Sequence, residues 1–407
     1  MSNTSAKKKP IIVLAFSGGL DTSYCAVYLR QQGYRVHAVT VNTGGFNHKQ
    51  IKDLERRAKE LGAEKFEMLD ETKRFYKKCL RYLIYGNVLR NHTYPLSVSA
   101  ERVFQALAIV QYAQDSKAEY VAHGSTGAGN DQVRFDLAFR ILSPKVKIIT
   151  PIRDQQLSRQ EEVEFLKKNE IDWSWEKAKY SINQGIWGTS VGGQETLTSN
   201  QSLPDEAYPS QMLGIGSQNV TLAFEKGEVE SLNGKSFKHP IELIQELQLM
   251  AAPYAIGRDT HVGDTIVGIK GRVGFEAAAP LIIINAHQLL EKHTLAKWQL
   301  YWKDQLATWY GMMVHEGQFL DPVMRNIEMF LKDTQKLVSG EVHLQLHPYR
   351  YDLQGISSPH DLMSSKFGDY GEANKAWTGE DVKGFTNIAA NATKIWFAVN
   401  RKERDKS

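Results

Sequence analysis

The 407-residue chain reads as an α/β protein: a doubly wound parallel sheet, then an α+β part, then a C-terminal helical arm. Three observations predict this. Up to about residue 170, short apolar runs alternate with amphipathic segments, the pattern of a parallel sheet with helices on both faces. Beyond that point strand signals are joined by tight turns. All eight tryptophans lie at or beyond Trp173, a composition shift that marks a boundary there.

The elements follow in order. Ile11–Phe16 is a continuous apolar run, as a strand buried on both faces requires. Asp21–Gln32 is helical and stopped by Gly33. Arg35–Val41 is the next strand. Residues 49–61 put Ile51, Leu54, Ala58 and Leu61 on one helical face, with Gly62 as the stop. Lys65–Leu69 is a strand, Glu101–Gln114 a helix, and Tyr120–Ala122 and Lys147–Thr150 are short strands. Ser158 with Glu161 forms a capping signal that opens another helix. In the second part, Val220–Phe224 and Glu228–Leu232 read as antiparallel strands, with Asn233-Gly234 as a following turn. Residues 240–251, 286–310 and 381–400 read as helices, and Glu341–His347 as a strand. The stretch 364–380 is rich in Gly and polar residues.

Composition narrows the function. The chain is 42% apolar and 24% charged, with a net charge of +4. That balance suits a globular protein and argues against a dedicated nucleic-acid or membrane-surface binder. Cys25 and Cys79 are too few for a disulfide framework or a four-cysteine zinc site. No apolar run is long enough to span a membrane, and the cytoplasm is the expected location.

Two segments carry chemistry. Ser17-Gly18-Gly19-Leu20-Asp21-Thr22-Ser23 lies between the first strand and the first helix. In an open α/β sheet, ligands bind at the carboxyl ends of strands. The two glycines let backbone N–H groups approach an anion, and the helix N-terminus adds partial positive charge. This is a phosphate-binding loop in form, distinct from both GxxxxGK[ST] and GxGxxG. His123-Gly124-Ser125-Thr126-Gly127-Ala128-Gly129-Asn130-Asp131-Gln132-Val133-Arg134-Phe135 is a second glycine-rich turn from strand to helix. Its carboxylate suits an amino group and its Arg fork suits a carboxylate, the two needs of an amino-acid substrate. The competing structural reading of each segment is a glycine turn with a capped helix.

The first loop resembles the SGG-x-D-[ST] signature of the ATP-pyrophosphatase superfamily, whose members split ATP between the α and β phosphates. Together the two segments resemble the argininosuccinate synthase family. The resemblance extends to Tyr94-Pro95-Leu96 with Ser99 and Arg102, to Ser181 and Ser190, and to Gly274-Phe275-Glu276-Ala277-Ala278. It implies a nucleotide-binding domain over 1–172, an α+β synthetase and multimerisation domain over 173–378, and an oligomerisation arm over 379–407. It implies ATP contacts at Ala15, Phe16, Ser17, Gly18, Gly19, Leu20, Asp21, Thr22, Ser23, Val41 and Gly124. Aspartate would meet Thr126, Asn130 and Asp131. Citrulline would meet Tyr94, Ser99, Asn130, Arg134, Ser181 and Ser190. Asp21 and Asp131 are the candidate catalytic residues; Mg²⁺ accompanies ATP, and no metal ligands are assigned to the protein. A homotetramer is implied, without nucleic-acid or membrane partners.

The chain also departs from the family pattern. Ala128 stands where Lys is frequent, and Gly263 and Phe275 stand where citrulline-binding Glu and Tyr are expected. Asp264, beside Gly263, is a candidate replacement for the carboxylate. The alternatives are a tRNA thiolase of the same superfamily, which would need a catalytic cysteine pair and a basic face, and a non-catalytic nucleotide sensor. Three further patterns favour structural roles. His343 and His347 fall on a strand; Asn233-Gly234-Lys235-Ser236 is a hairpin turn; Trp298, Trp302 and Trp309, with Leu295 and Leu306, keep helical spacing and are expected to pack in the core rather than stack on bases.

Overall fold

The computed structural model describes residues 9–171, 180–214, 216–364 and 376–401. The chain forms two compact units, Met1–His360 and Asp361–Ser407. The boundary expected at 172/173 lies outside the described residues.

The first unit is built on a parallel sheet in the order β3-β2-β1-β4-β5. Its strands are β1 (Ile11–Ala15), β2 (Arg35–Asn42), β3 (Lys65–Asp70), β4 (Tyr120–Ala122) and β5 (Lys147–Ile149). The alternating side chains of β1 serve two cores, as the two-residue period of a strand demands. Ile12 and Leu14 pack with helices Leu20–Gln31 and Arg159–Lys168. Val13 packs with Ile109, Phe135 and Phe139 on the opposite face. The helix stops are those expected: Gly33 and Gly62 both take left-handed φ, +89° and +79°. The Ser158–Glu161 capping box is formed.

Beyond the parallel sheet lie two antiparallel sheets. One runs β11-β12-β7-β6, from β6 (Ser181–Gly185), β7 (Gly188–Gly192), β11 (Arg258–Asp264) and β12 (Lys270–Glu276). The other runs β10-β9-β8-β13-β14, from β8 (Gln218–Glu225), β9 (Glu228–Leu232), β10 (Lys235–Ser236), β13 (Gly340–His347) and β14 (Arg350–Ser357). His343 and His347 are thus on a strand, and Asn233-Gly234 turns β9 into β10.

The structure corrects several expectations. The helix expected over 286–310 is two helices, Ala278–Thr294 and Lys297–His315, because Leu295 and Ala296 are extended. The helix expected from Glu101 begins at Ser97, where Leu96 takes the left-handed conformation. Trp298, Trp302 and Trp309 are 65%, 58% and 58% exposed, so they are surface residues and not core. They share one helix with buried Lys303, Ala307 and Tyr310, and it is this second face that packs inward.

The second unit contains helices Gly379–Ala389 and Asn391–Val399, divided at Ala390 where a single helix over 381–400 is expected. Thr378 and Asp381 form its capping box. Neither helix has a buried residue. Most of the Gly-rich stretch 364–380 lies outside the described residues.

Candidate active site

The sheet order reverses at β1, which has β2 on one side and β4 on the other. A crevice opens beyond the carboxyl ends of strands at such a switch point. The loops after β1 and β4 both enter it and touch there. A Cβ on Gly124 would lie 3.1 Å from the Asp21 backbone, so glycine is what allows the two loops this approach. Gly18 has φ +72°, and a Cβ there would meet Leu54 at 2.4 Å.

A cleft of about 850 Å³ occupies this crevice. It gathers Ala15, Phe16, Ser17, Gly19, Leu20, Asp21, Thr22, Val41 and Gly124 with Thr126, Asn130 and Asp131. Tyr94, Ser99, Arg134, Ser181 and Ser190 line it too. Gly18 and Ser23 do not: Ser23 is fully buried, and its Oγ accepts from Arg57 Nε at 3.2 Å.

The first loop is held by its own hydroxyls. Thr22 Oγ1 donates to Gly19 O at 3.3 Å and lies 3.2 Å from Ser17 Oγ. Gly19, the cap of helix Leu20–Gln31, supplies no side-chain acceptor for the first N–H groups. Those donors and the helix dipole face the position of an incoming anion. Asp21, one residue into the helix, has the Glu162 carboxyl of helix Arg159–Lys168 as its neighbour. Burial raises the Asp21 carboxyl above its ordinary range, against the pull of Arg159. Burial and the neighbouring Asp21 push Glu162 up to about 8. The pair therefore holds a proton at neutral pH.

The second loop is fixed from behind. His123 Nε2 lies 3.0 Å from Asp136 Oδ1, and Ser125 N–H donates to His123 Nδ1 at 3.2 Å. Asn130 Oδ1 accepts from Ile266 N–H at 2.7 Å, which ties the loop to the turn between β11 and β12. Asp131 then opens helix Asp131–Leu142 with Arg134 one turn on. Arg102 Nε donates to Asp131 Oδ2 at 2.9 Å, and Arg134 Nη1 donates to Oδ1 at 2.8 Å. Burial opposes ionisation of Asp131, but the two guanidinium groups outweigh it and hold the carboxyl below its usual value. Arg134 Nε also donates to His315 O at 2.8 Å. Arg102 Nη2 reaches Asn183 Oδ1 of β6 at 2.8 Å.

At the far end, Tyr94 stacks on His261 with centroids 5.1 Å apart and packs on buried Phe275. A Cβ on Gly263 would lie 2.7 Å from His261 Nε2, so a longer side chain there requires the imidazole to shift. Asp264, the candidate substitute carboxylate, is ion-paired with Lys270 at 2.7 Å and is mostly exposed.

Sequence reasoning assigned no site role to Glu101, Arg159, Asn183, His261 or His315, all of which line the cleft. His315 ends helix Lys297–His315 and reaches Arg134 from 181 residues away in the chain, so no local pattern marks it. Among the described residues, no group of three or more His, Cys, Asp or Glu side chains could hold a metal ion, and no helix is long and apolar enough to cross a membrane.

Residues 11–172 match the model of the arginosuccinate synthase N-terminal HUP domain. Residues 180–396 match that of the arginosuccinate synthase C-terminal domain. The chain is 34% identical over 402 residues to a protein of Xanthomonas campestris named argininosuccinate synthase, covering 96% of this chain and 99% of the relative. Proteins of the same name from Dictyoglomus thermophilum and Methanocaldococcus jannaschii are each 35% identical. The first match covers 94% of this chain and 96% of the relative, and the second covers 89% and 92%.

Proposed function

Because the chain belongs to the argininosuccinate synthase family, we propose that it ligates citrulline to aspartate with ATP, releasing AMP and pyrophosphate. The observation that carries this reading is the meeting of the two glycine-rich loops in one crevice, with Asp131 held between Arg102 and Arg134.

In this reading ATP, with its Mg²⁺, lies along the Ser17–Ser23 loop, Val41 and Gly124. The ureido oxygen of citrulline attacks the α-phosphorus and pyrophosphate leaves. The oxygen, a poor leaving group, becomes part of AMP in a citrullyl-adenylate. The aspartate amine attacks the activated carbon and AMP departs. Backbone N–H groups at the start of helix Leu20–Gln31 offset charge developing on the leaving pyrophosphate. Asp21 orients the first turn of that helix against the phosphates. Thr126, Asn130 and Asp131 hold aspartate, with Asp131 orienting its amine. Tyr94, Ser99, Asn130, Arg134, Ser181 and Ser190 hold citrulline. Placing three substrates in register supplies much of the rate.

The same reading places the reaction in arginine biosynthesis and the protein in the cytoplasm. It takes the active form to be a homotetramer. In support, Phe385, Ile388, Ile395 and Trp396 of the C-terminal unit are 72%, 73%, 63% and 56% exposed, an apolar surface that a partner subunit would cover.

The thiolase alternative is disfavoured by its own chemistry. Cys25 and Cys79 are both buried, and burial pushes both thiols well above their ordinary range, so neither yields a nucleophilic thiolate. ATP/[³²P]pyrophosphate exchange tests the proposal. Exchange that needs citrulline but not aspartate supports it; exchange indifferent to citrulline contradicts it.

A further inference from the structure

Glu101 stands in the second turn of helix Ser97–Asp115, beside Arg102. It lines the cleft and yet is 2% exposed. Thr43 Oγ1 donates to its Oε2 at 2.9 Å. No hydrogen bond of ordinary geometry reaches its Oε1 among the described residues. A buried carboxyl oxygen left without a donor is costly, and such groups call for an explanation. The packing holds it there: a Cβ on Gly185 would lie 1.6 Å from Oε1, so only glycine at 185 leaves room for the carboxyl. The group sits where the two sides of the cleft meet. Thr43 follows β2 on the phosphate-loop side; Asn183 and Gln184 belong to β6 on the other.

The other titratable side chains of the cleft are less suited to accept a proton. Asp131 is bound by two arginines and Asp264 by Lys270. Asp21 interacts with the neighbouring Glu162 carboxyl. His123 has both ring nitrogens engaged, by Asp136 and by Ser125 N–H. Burial and Arg90 lower His261 to about 4, and burial with Arg134 and Arg90 drives His315 further down.

We propose that Glu101 is the proton acceptor of the ligation step. The inference rests on the functional reading above. The neutral aspartate nitrogen gives its lone pair to the activated ureido carbon. An N–H proton of that nitrogen passes to the Glu101 carboxylate, and the electron pair of the C–O bond leaves with AMP. Glu101 returns the proton to solvent when product leaves. Burial pushes its carboxyl up to about 7, with the Thr43 hydroxyl, the Arg102 charge and the Trp187 backbone N–H pulling the other way. A base titrating there suits proton transfer near neutral pH. Arg102, on the same helix, is the charged group acting on it; Thr43 from the β2 side adds a hydrogen bond, and the Trp187 backbone N–H of the turn between β6 and β7 has the weakest pull.

Glu101→Gln separates the two half-reactions. Citrulline-dependent pyrophosphate exchange should stay close to that of the unmodified enzyme. Argininosuccinate formation should fall about 100-fold or more, the scale of general-base catalysis, and its acidic limb near pH 7 should disappear. Equal loss of exchange and synthesis, or no loss of synthesis, overturns the proposal. Thr43→Val supplies a second reading if the first variant does not fold. Removing a donor to the charged form raises the carboxyl's pKa, so the acidic limb should move to higher pH; an unmoved limb overturns the assignment. Absence of citrulline-dependent exchange in the unmodified enzyme is a different failure, because it overturns the functional reading itself and this inference with it.

Discussion

Arg134 Nη1 donates to Asp131 Oδ1 across 2.8 Å, one helical turn away. In the proposed function Asp131 belongs to the aspartate pocket and Arg134 to the citrulline pocket. In the fold they form a single ion pair, with Arg102 on the other carboxylate oxygen. Under that proposal the two substrate sites share a wall, and a change in either residue reaches both.

Asp131→Asn should raise the KM for aspartate and for citrulline together. It leaves the Arg134 side chain, 4% exposed, without its counter-ion. Breaking a buried pair from one side costs about 3–5 kcal/mol, and the lower end applies because Asp131 is partly exposed. Arg134→Leu should be milder for aspartate, since Arg102 still holds Asp131. Steady-state kinetics in each substrate checks this; a citrulline KM unaltered by Asp131→Asn would mean that the pair is not shared.

Gly124→Ala tests the contact between the two loops. The added methyl must displace Asp21, whose backbone lies 3.1 Å from the Cβ position. Misplacing a binding loop by a fraction of an ångström should reduce kcat/KM for ATP by roughly 10–100-fold. The melting temperature should change little. Normal ATP kinetics would show that the loops tolerate separation.

The Asp21–Glu162 pair gives a pH prediction. Glu162 titrates at about 8 in the folded protein, above its ordinary value of 4.5. The folded state thus binds more protons than the unfolded state between those values, and stability must fall as pH rises through that window. Glu162→Gln removes the effect. Its melting temperature should exceed that of the unmodified protein at pH 8–9 and approach it near pH 5, by roughly 2–4 °C for each kcal/mol relieved. Parallel melting curves across pH would refute the shared proton.

A chain ending at Gly379 tests assembly. It lacks Phe385, Ile388, Trp396 and Phe397, the exposed apolar residues of the C-terminal helices. Aromatic anchors of this kind dominate interface energies. The truncated chain should run as a smaller species in light scattering at low micromolar concentration. A tetramer that survives truncation would remove the arm from the interface.

Much of this was legible from residue patterns. Ile11–Phe16, the Gly33 and Gly62 stops and the Ser158–Glu161 capping box are local signals, and the fold uses each of them. The β6–β7 and β11–β12 hairpins were not seen, because Ser181–Gly185 and Arg258–Asp264 are polar, glycine-containing stretches with little alternation. The tryptophan row of helix Lys297–His315 keeps helical spacing, but spacing does not say which face turns inward; Tyr310 and Ala307 took that place. In the site, the glycine loops announced themselves. Glu101 and His315 did not, since what singles them out is an unpartnered buried atom, which exists only once distant segments have packed.

In the proposed mechanism the ureido oxygen attacks the α-phosphorus. Citrulline labelled with ¹⁸O in the ureido group is turned over with aspartate and ATP, and the AMP is examined by mass spectrometry. One labelled oxygen is expected in each AMP formed; AMP without label would mean that the ureido oxygen does not attack the α-phosphorus.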